Sequence, residues 1–299
     1  MKTKILISSI NGPIGYELVK YLKKKFYVIG CDCQPFGLGR EICDEFYKSP
    51  HGSSKLFLSF LQKMSSKVDQ FFLFADEEIY NLSKNRNNMS TVIKKTLISP
   101  HETIKFCNNK SDLKKYLKNF LYLPKDNANK IIVKPKIGRG SKNQLILNDN
   151  SNGYSKFFSK DNNFFVEEFI EGKEYTVDCI FNKDYKLNFL LARERVIKSN
   201  ISIVGKIVKD LKIIKFIEKL SKKLKFIGNV NIQIIINKQN KIFLTDINPR
   251  ISGSIIFSIA AGFNPFAMAS DILLKKKITK PKEIKYGKTL FRYWKTFQI

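Results

Sequence analysis

A chain of 299 residues with 43% hydrophobic content carries enough apolar material for a sizeable core, suits about two domains, and is neither disordered nor fibrous in composition. The net charge of +28 would suit a polyanion partner, but the lysines are spread along the whole chain beside abundant Asn, Ile and Phe. That pattern reads as compositional bias, so no nucleic acid is expected. Five Cys without a C-x-x-C pair, and only two His, fit free thiols in a reducing cytoplasm, and no run is long enough for a signal peptide or a membrane span.

In chain order, residues 4–8 (KILIS) read as a strand and Asn11-Gly12-Pro13-Ile14-Gly15 as a glycine turn. Residues 16–24 have helical spacing, and 26–31 form a second strand ending at Asp32. This βαβ opening predicts a parallel sheet. Gly12 and Gly15 before a helix, with Asp32 after the second strand, could hold a dinucleotide; the full G-x-G-x-x-G is absent, because Ser9 stands where its first glycine would be. Tyr80-x-x-x-Lys84 has the spacing of the short-chain dehydrogenase pair, and an NAD(P)-dependent oxidoreductase is therefore the alternative enzyme reading. Residues 71–75 form a third buried strand, followed by Asp76-Glu77-Glu78, which is either a ligand-facing strand end or a solvated helix start. A domain boundary is expected near residue 103.

Beyond it, residues 111–119 read as a helix capped by Ser111, and 131–133 as a strand running into Lys134-Pro135. The glycine-broken loop 136–143, with Gly138, Gly140 and Ser141, could fold its amides over a polyphosphate while Lys134 supplies a point charge. Residues 164–166 lead into a stretch with Glu167 and Glu174 seven apart, able to hold a purine and ribose between strands. Residues 187–192 are read as a strand ending at Arg193-Glu194-Arg195, 201–208 follow it, 209–224 form an amphipathic helix, and 255–274 are one helical run. Between these helices, 230–236 and 241–246 form a β-hairpin about the turn 237–240. Alternation puts Gln233 on one face, with Asp246 and Asn248 facing the same way if the strands pair in register. Such an all-oxygen set suits Mg2+ better than zinc or iron, and Arg250 adds a fixed cation after Pro249.

Taken in order, Lys134-Pro135 with the 138–141 loop, Val166-Glu167-Glu168-Phe169-Ile170-x-Gly172-x-Glu174, Asn231-x-Gln233 and Asp246-x-Asn248-Pro249-Arg250 resemble the ATP-grasp superfamily. Within it, the look is that of the carbamoyl-phosphate-synthase-like ligases joining carboxylates to amines. The resemblance implies a mixed α/β and α+β chain: an N-terminal parallel α/β (pre-ATP-grasp) domain over 1–103, then a two-lobed ATP-grasp domain over 104–299. Its small lobe would span about 104–178, its large lobe about 179–285, and a closing strand about 288–297. ATP and Mg2+, or Mn2+ in its place, are the implied cofactors. Lys110, Lys134, Gly138, Gly140, Ser141, Glu167, Glu168, Phe169, Ile170 and Glu174 would hold the nucleotide. Gln233, Asp246 and Asn248 would hold metal, and Arg250, Arg193 and Arg195 would steady the phosphoryl group or a substrate carboxylate. Two departures stand out: Asn109 replaces the usual Asp before Lys110, and Asp246 replaces the commoner Glu. Small-molecule carboxylate and amine substrates, no membrane, a cytoplasmic location and a homodimer complete the expectation. A nucleotide-binding module without turnover is the non-enzymatic alternative.

Overall fold

A computed structural model of the chain describes residues 2–118, 123–124, 128, 130–138, 143–148, 163–198, 202–293, 296 and 298. The apolar opening forms β1 (Thr3–Ser8), α1 (Gly15–Leu22) and β2 (Phe26–Asp32), and β3 (Glu45–Lys48) and β4 (Gln70–Phe72) complete a parallel sheet in the order β3-β2-β1-β4. Ile5, Leu6 and Ile7 are all fully buried, so β1 is covered on both faces, as a continuous apolar run in a parallel sheet should be. α2 (Leu38–Ile42), α3 (Lys55–Met64), α4 (Asp76–Lys84) and α5 (Ser90–Lys94) connect and flank these strands.

Helices α6 (His101–Asn108) and α7 (Lys110–Leu117) meet at Asn109, whose side-chain oxygen accepts from the amides of Ser111 (3.0 Å) and Asp112 (3.3 Å). Asn109 is thus the cap that the sequence reading gave to Ser111, because its short amide reaches two otherwise unpaired N–H groups of the first turn. The boundary expected near residue 103 falls inside α6. A small antiparallel sheet follows, in the order β6-β5-β7, from β5 (Lys130–Pro135), β6 (Leu145–Asn148) and β7 (Phe164–Glu168).

The largest sheet has six strands in the order β12-β11-β8-β9-β10-β13. They are β8 (Gly172–Phe181), β9 (Leu187–Lys198), β10 (Ser202–Val208), β11 (Gly228–Asn237), β12 (Ile242–Asn248) and β13 (Thr289–Phe291), all antiparallel to their neighbours. One face is apolar: Val177, Cys179, Ala192, Ile232, Ile234 and Leu244 pack against Ile213, Ile217 and Leu220 of α8 (Leu211–Ser221). Arg193 and Arg195 lie inside β9 and not past its end, because on this half-polar sheet a charged residue need not terminate a strand. The helical run expected over 255–274 is two helices, α9 (Ile255–Ala260) and α10 (Pro265–Leu273), broken where Gly262 takes φ +105.

These two helices join the parallel and antiparallel sheets. One core contains Ile5, Ile7, Leu18 and Val28 from the N-terminal strands and α1, Ile180, Leu191 and Ile207 from the large sheet, and Phe263 from the link before α10 with Phe266 and Ile272 from α10 itself. Phe266 is fully buried and packs edge-on to Phe72 with ring centroids 5.1 Å apart. Burying a side chain of this size contributes about 1.5–3 kcal/mol. A buried hydrogen bond from Gln70 Nε2 to Ser270 Oγ (2.9 Å) fixes α10 against β4.

Candidate functional site

The hairpin β11–β12 pairs Asn231 with Asn248 and Gln233 with Asp246, with a register shift after Gln233. β8 extends the rows, placing Thr176 opposite Gln233 and Asp178 opposite Asn231, and β9 places Arg193 opposite Thr176. Residues directly opposite across strands point to the same side. The face away from α8 therefore carries a polar row, Asp246, Gln233, Thr176, Arg193, beside a second one, Asn248, Asn231, Asp178.

At the β12 end of these rows lies a cavity of about 370 Å³ between α4, the α6–α7 joint, Gly138 and the segment after β12. Asp76, Glu77, Tyr80, Lys84, Lys110, Asp246, Asn248 and Arg250 all line it. Lys110 Nζ donates to the Gly138 carbonyl (2.8 Å) and stands 4.0 Å from Asp246 Oδ1. Asn248 Nδ2 donates to Asp246 Oδ2 (3.0 Å), and its Oδ1 accepts from Arg250 Nη2 (3.2 Å). Arg250 then grips Asp76 with two bonds, Nε to Oδ1 at 2.6 Å and Nη2 to Oδ2 at 3.0 Å. Burial alone would lower the Arg250 pKa, but the charge of Asp76 and its hydrogen bonds more than offset that and raise it.

Asp76 is the site residue that sequence reasoning left open between ligand and solvated helix start. Its two neighbours diverge from it. Glu77 lines the cavity, whereas Glu78 turns inward: its Oε2 accepts from Ser8 Oγ and from the amides of Phe74 (3.2 Å) and Ala75 (3.1 Å). Burial pushes the Glu78 carboxyl up to about 7. The available signal was an acidic run directly after a buried strand, at the carboxyl end of a parallel sheet.

The residues expected at the nucleotide end form pairs. Lys134 Nζ donates to Glu167 Oε1 at 2.5 Å with both side chains buried, and Lys114 Nζ stands 3.9 Å from Glu167 Oε2. The Phe169 amide donates to the Lys130 carbonyl (2.9 Å), and Lys130 Nζ lies 4.7 Å from the Phe169 ring centre; Glu168 and Ile170 are partly exposed beside it. Glu174 Oε2 meets Arg195 Nη1 at 3.4 Å. Gly140 and Ser141 lie outside the described residues. Arg193 does not join Arg250: its Nη2 donates to Ser254 Oγ (2.7 Å), Ser252 Oγ (3.3 Å) and Asp178 Oδ2 (3.3 Å).

Residues 160–293 match the family described as ATP-grasp in the biosynthetic pathway with Ter operon. Among solved structures, the fold matches N5-carboxyaminoimidazole synthetase from Staphylococcus aureus with a TM-score of 0.74 and 16% identity, over 97% of this chain and 82% of that one. The chain has the ATP-grasp fold. It is also similar to an L-amino acid ligase from Bacillus licheniformis (TM-score 0.70, 15% identity, 96% of this chain and 78% of that one). A third likeness is to a biotin carboxylase–β,γ-ATP complex from Campylobacter jejuni (TM-score 0.70, 14% identity, 97% of this chain and 74% of that one). No curated protein matches the chain.

In this fold the donor set at the β11–β12 end fits a hard divalent cation. Gln233 and Asp246 face each other in register, giving one carboxylate and one amide oxygen, and Asn248 adds a second amide. For Asn248 to ligate, its amide must turn, since its nitrogen now faces Asp246 and its oxygen faces Arg250.

The residues behind the dehydrogenase alternative have fold roles in the same chain. Asp32 accepts from the amides of Asn11 (2.9 Å) and Gln34 (2.8 Å), closing the loop that a ribose would need open. A Cβ on Gly15 would stand 1.5 Å from the Ile10 carbonyl oxygen, so that glycine serves backbone packing. Tyr80 packs edge-on to His101 with ring centroids 5.2 Å apart. No described helix is long and apolar enough to cross a membrane.

Proposed function

We propose that this chain is an ATP-dependent ligase that joins a carboxylate to an amine through an acylphosphate, releasing ADP and phosphate. The observation that carries the reading is the convergence of Lys110, Asp246, Asn248, Arg250 and Asp76 in one cavity, with Gln233 in register with Asp246. Proteins of the same fold are named as complexes with ADP, with ATP, and with MgADP and bicarbonate, which supports a nucleotide in the equivalent place. In this reading residues 1–103 form the N-terminal unit and 104–299 the nucleotide clamp.

Gln233, Asp246 and Asn248 would hold Mg2+, which when bound supplies positive charge to the phosphates of ATP. The chain's own groups do the rest. Lys134, kept in place by Glu167, and Lys110, kept in place by Gly138 and Asp246, present ammonium groups to the phosphates. The 167–170 stretch holds adenine and Glu174 the ribose. Arg250, locked at two points by Asp76, faces the transferring phosphoryl group with little freedom to lose on binding. A substrate carboxylate oxygen attacks the γ-phosphorus and ADP leaves; the amine then attacks the acyl carbon, phosphate departs and the amine nitrogen gives up a proton. Positioning and charge account for most of the rate in such chemistry, so no His or Cys nucleophile is required. Free thiols at all five cysteines suit a cytoplasmic setting.

The test is ADP release from MgATP against pools of amino acids, small carboxylic acids and amines, run beside Asp246→Ala. Turnover with one pool, lost in the variant, supports the ligase. Silence in every pool, with MgATP still raising Tm, would replace it by a nucleotide-binding role without turnover.

A further inference from the structure

A second cluster of cations lies on the same polar face, toward the other edge of the sheet. Arg193 and Arg195 stand two apart on β9 and share a face, and Arg292 directly follows β13. Arg193 is completely buried, yet among the described residues only its Nη2 finds a hydrogen-bond partner; its Nε and Nη1 are buried without one. Arg195 Nε and Arg292 Nη1 are in the same condition. The guanidinium carbons of Arg193 and Arg292 each lie 5.5 Å from the Phe257 ring centre. Burial lowers the pKa of both, and repulsion from a neighbouring guanidinium, Arg195 for the first and Arg193 for the second, lowers it further.

The carboxylates at hand do not balance these charges. Asp178 meets Arg193 but also accepts from Asn231 Nδ2 (3.0 Å) and Ser258 Oγ (2.6 Å), and Glu174 meets Arg195 at Nη1, not at its buried Nε. Unpaired buried guanidinium N–H groups are costly and rare, and together these four nitrogens call for an acceptor with several oxygens. Beside them, a Cβ placed on exposed Gly253 would meet no atom within 4 Å, which leaves room at the turn carrying Ser252 and Ser254.

We propose that Arg193, Arg195 and Arg292 form a binding site for an oxyanionic group of the substrate, a carboxylate or a phosphate, separate from the Arg250 end of the cavity. Three strand spacings separate β12 from β9, about 14 Å. The proposal rests on the ligase reading for the word substrate, and it narrows that substrate to one with a second acidic group besides the carboxyl that is activated. Arg193 forms the floor, and the partly exposed Arg195 and Arg292 form the rim.

Isothermal titration calorimetry of the full chain with inorganic phosphate and, separately, succinate tests the site and distinguishes its two sources. One anion is expected to bind saturably. Arg195→Gln and Arg292→Gln should each weaken it about tenfold, the effect of one charge-assisted hydrogen bond, and Arg250→Gln by less than twofold. Circular dichroism checks that the variants are folded, and the rim positions keep the test independent of the buried Arg193. Binding of neither anion, equal binding by the rim variants and the parent, or a loss with Arg250→Gln as large as theirs would each overturn the proposal. The rise in Tm with MgATP is read on the same proteins. Its absence with anion binding intact would remove the ligase reading and leave the anion site standing alone; its presence without anion binding would do the reverse.

Discussion

The N-terminal parallel sheet and the large antiparallel sheet put their polar groups in different places. In the first, both faces are apolar, so chemistry is confined to strand ends: Ser8 closes β1, Asp32 closes β2, and Asp76 comes shortly after β4. In the second, the face against α8 is apolar, and the other, beside Ile180, Leu191 and Ile207 in the shared core, carries a row of Asp246, Gln233, Thr176 and Arg193 across four strands. The cavity forms where the strand ends of one sheet meet the polar face of the other, and the Arg250–Asp76 pair is the joint. A parallel sheet offers a few fixed points, whereas a half-polar antiparallel sheet offers a surface on which several ligands can be laid side by side.

The strongest way to break this contrast is to remove the packing that both sheets share. Phe266→Ala leaves a cavity in the common core and should cost about 3–5 kcal/mol in urea unfolding. A loss under 1 kcal/mol would mean that the sheets do not depend on a common core. Next comes Glu78, whose folded pKa of about 7 lies above its unfolded value near 4.5. The folded state therefore holds the extra proton, and stability present below pH 4.5 is lost as pH rises toward 7, by up to about 3 kcal/mol. Glu78→Gln should flatten that slope, so the variant gains on the parent between pH 5 and pH 8; parallel stability curves would show that Glu78 ionises freely. On the polar face, Asp246→Ala should lower the rate of ADP release at least about a hundredfold with a nearly unchanged urea midpoint. Smallest is Asp76→Asn, which takes the charge from the Arg250 clamp: kcat should fall about tenfold with KM within a factor of about two, the mark of a group that positions another. A change confined to KM would make Asp76 a substrate contact instead.

The same contrast explains what could be read from sequence. Gln233 facing Asp246 was legible because strand alternation and one short turn fix both residues within a single hairpin. Asp76 beside Arg250 was not, since nothing local couples residues 174 positions apart. Arg193 and Arg195 looked like the end of a strand because apolar alternation gave no sign that the far face of β9 is polar. The cap at Asn109 was passed over for Ser111, as both residue types suit the position and only the backbone turn decides between them. The break at Gly262 was hidden by the apolar residues on either side, which suit one helix as well as two.

The core that α10 shares with β1 also bears on how the chain is made. Gln70 and Ser270 are 200 residues apart, and Phe263, Phe266 and Ile272 pack with Ile5 and Ile7. A ribosome adding about 5–20 residues per second needs roughly 10–40 seconds to travel that distance. For that interval Ile5 and Ile7 have been made without their final cover, so β1 stays open to chaperone capture or aggregation until α10 follows.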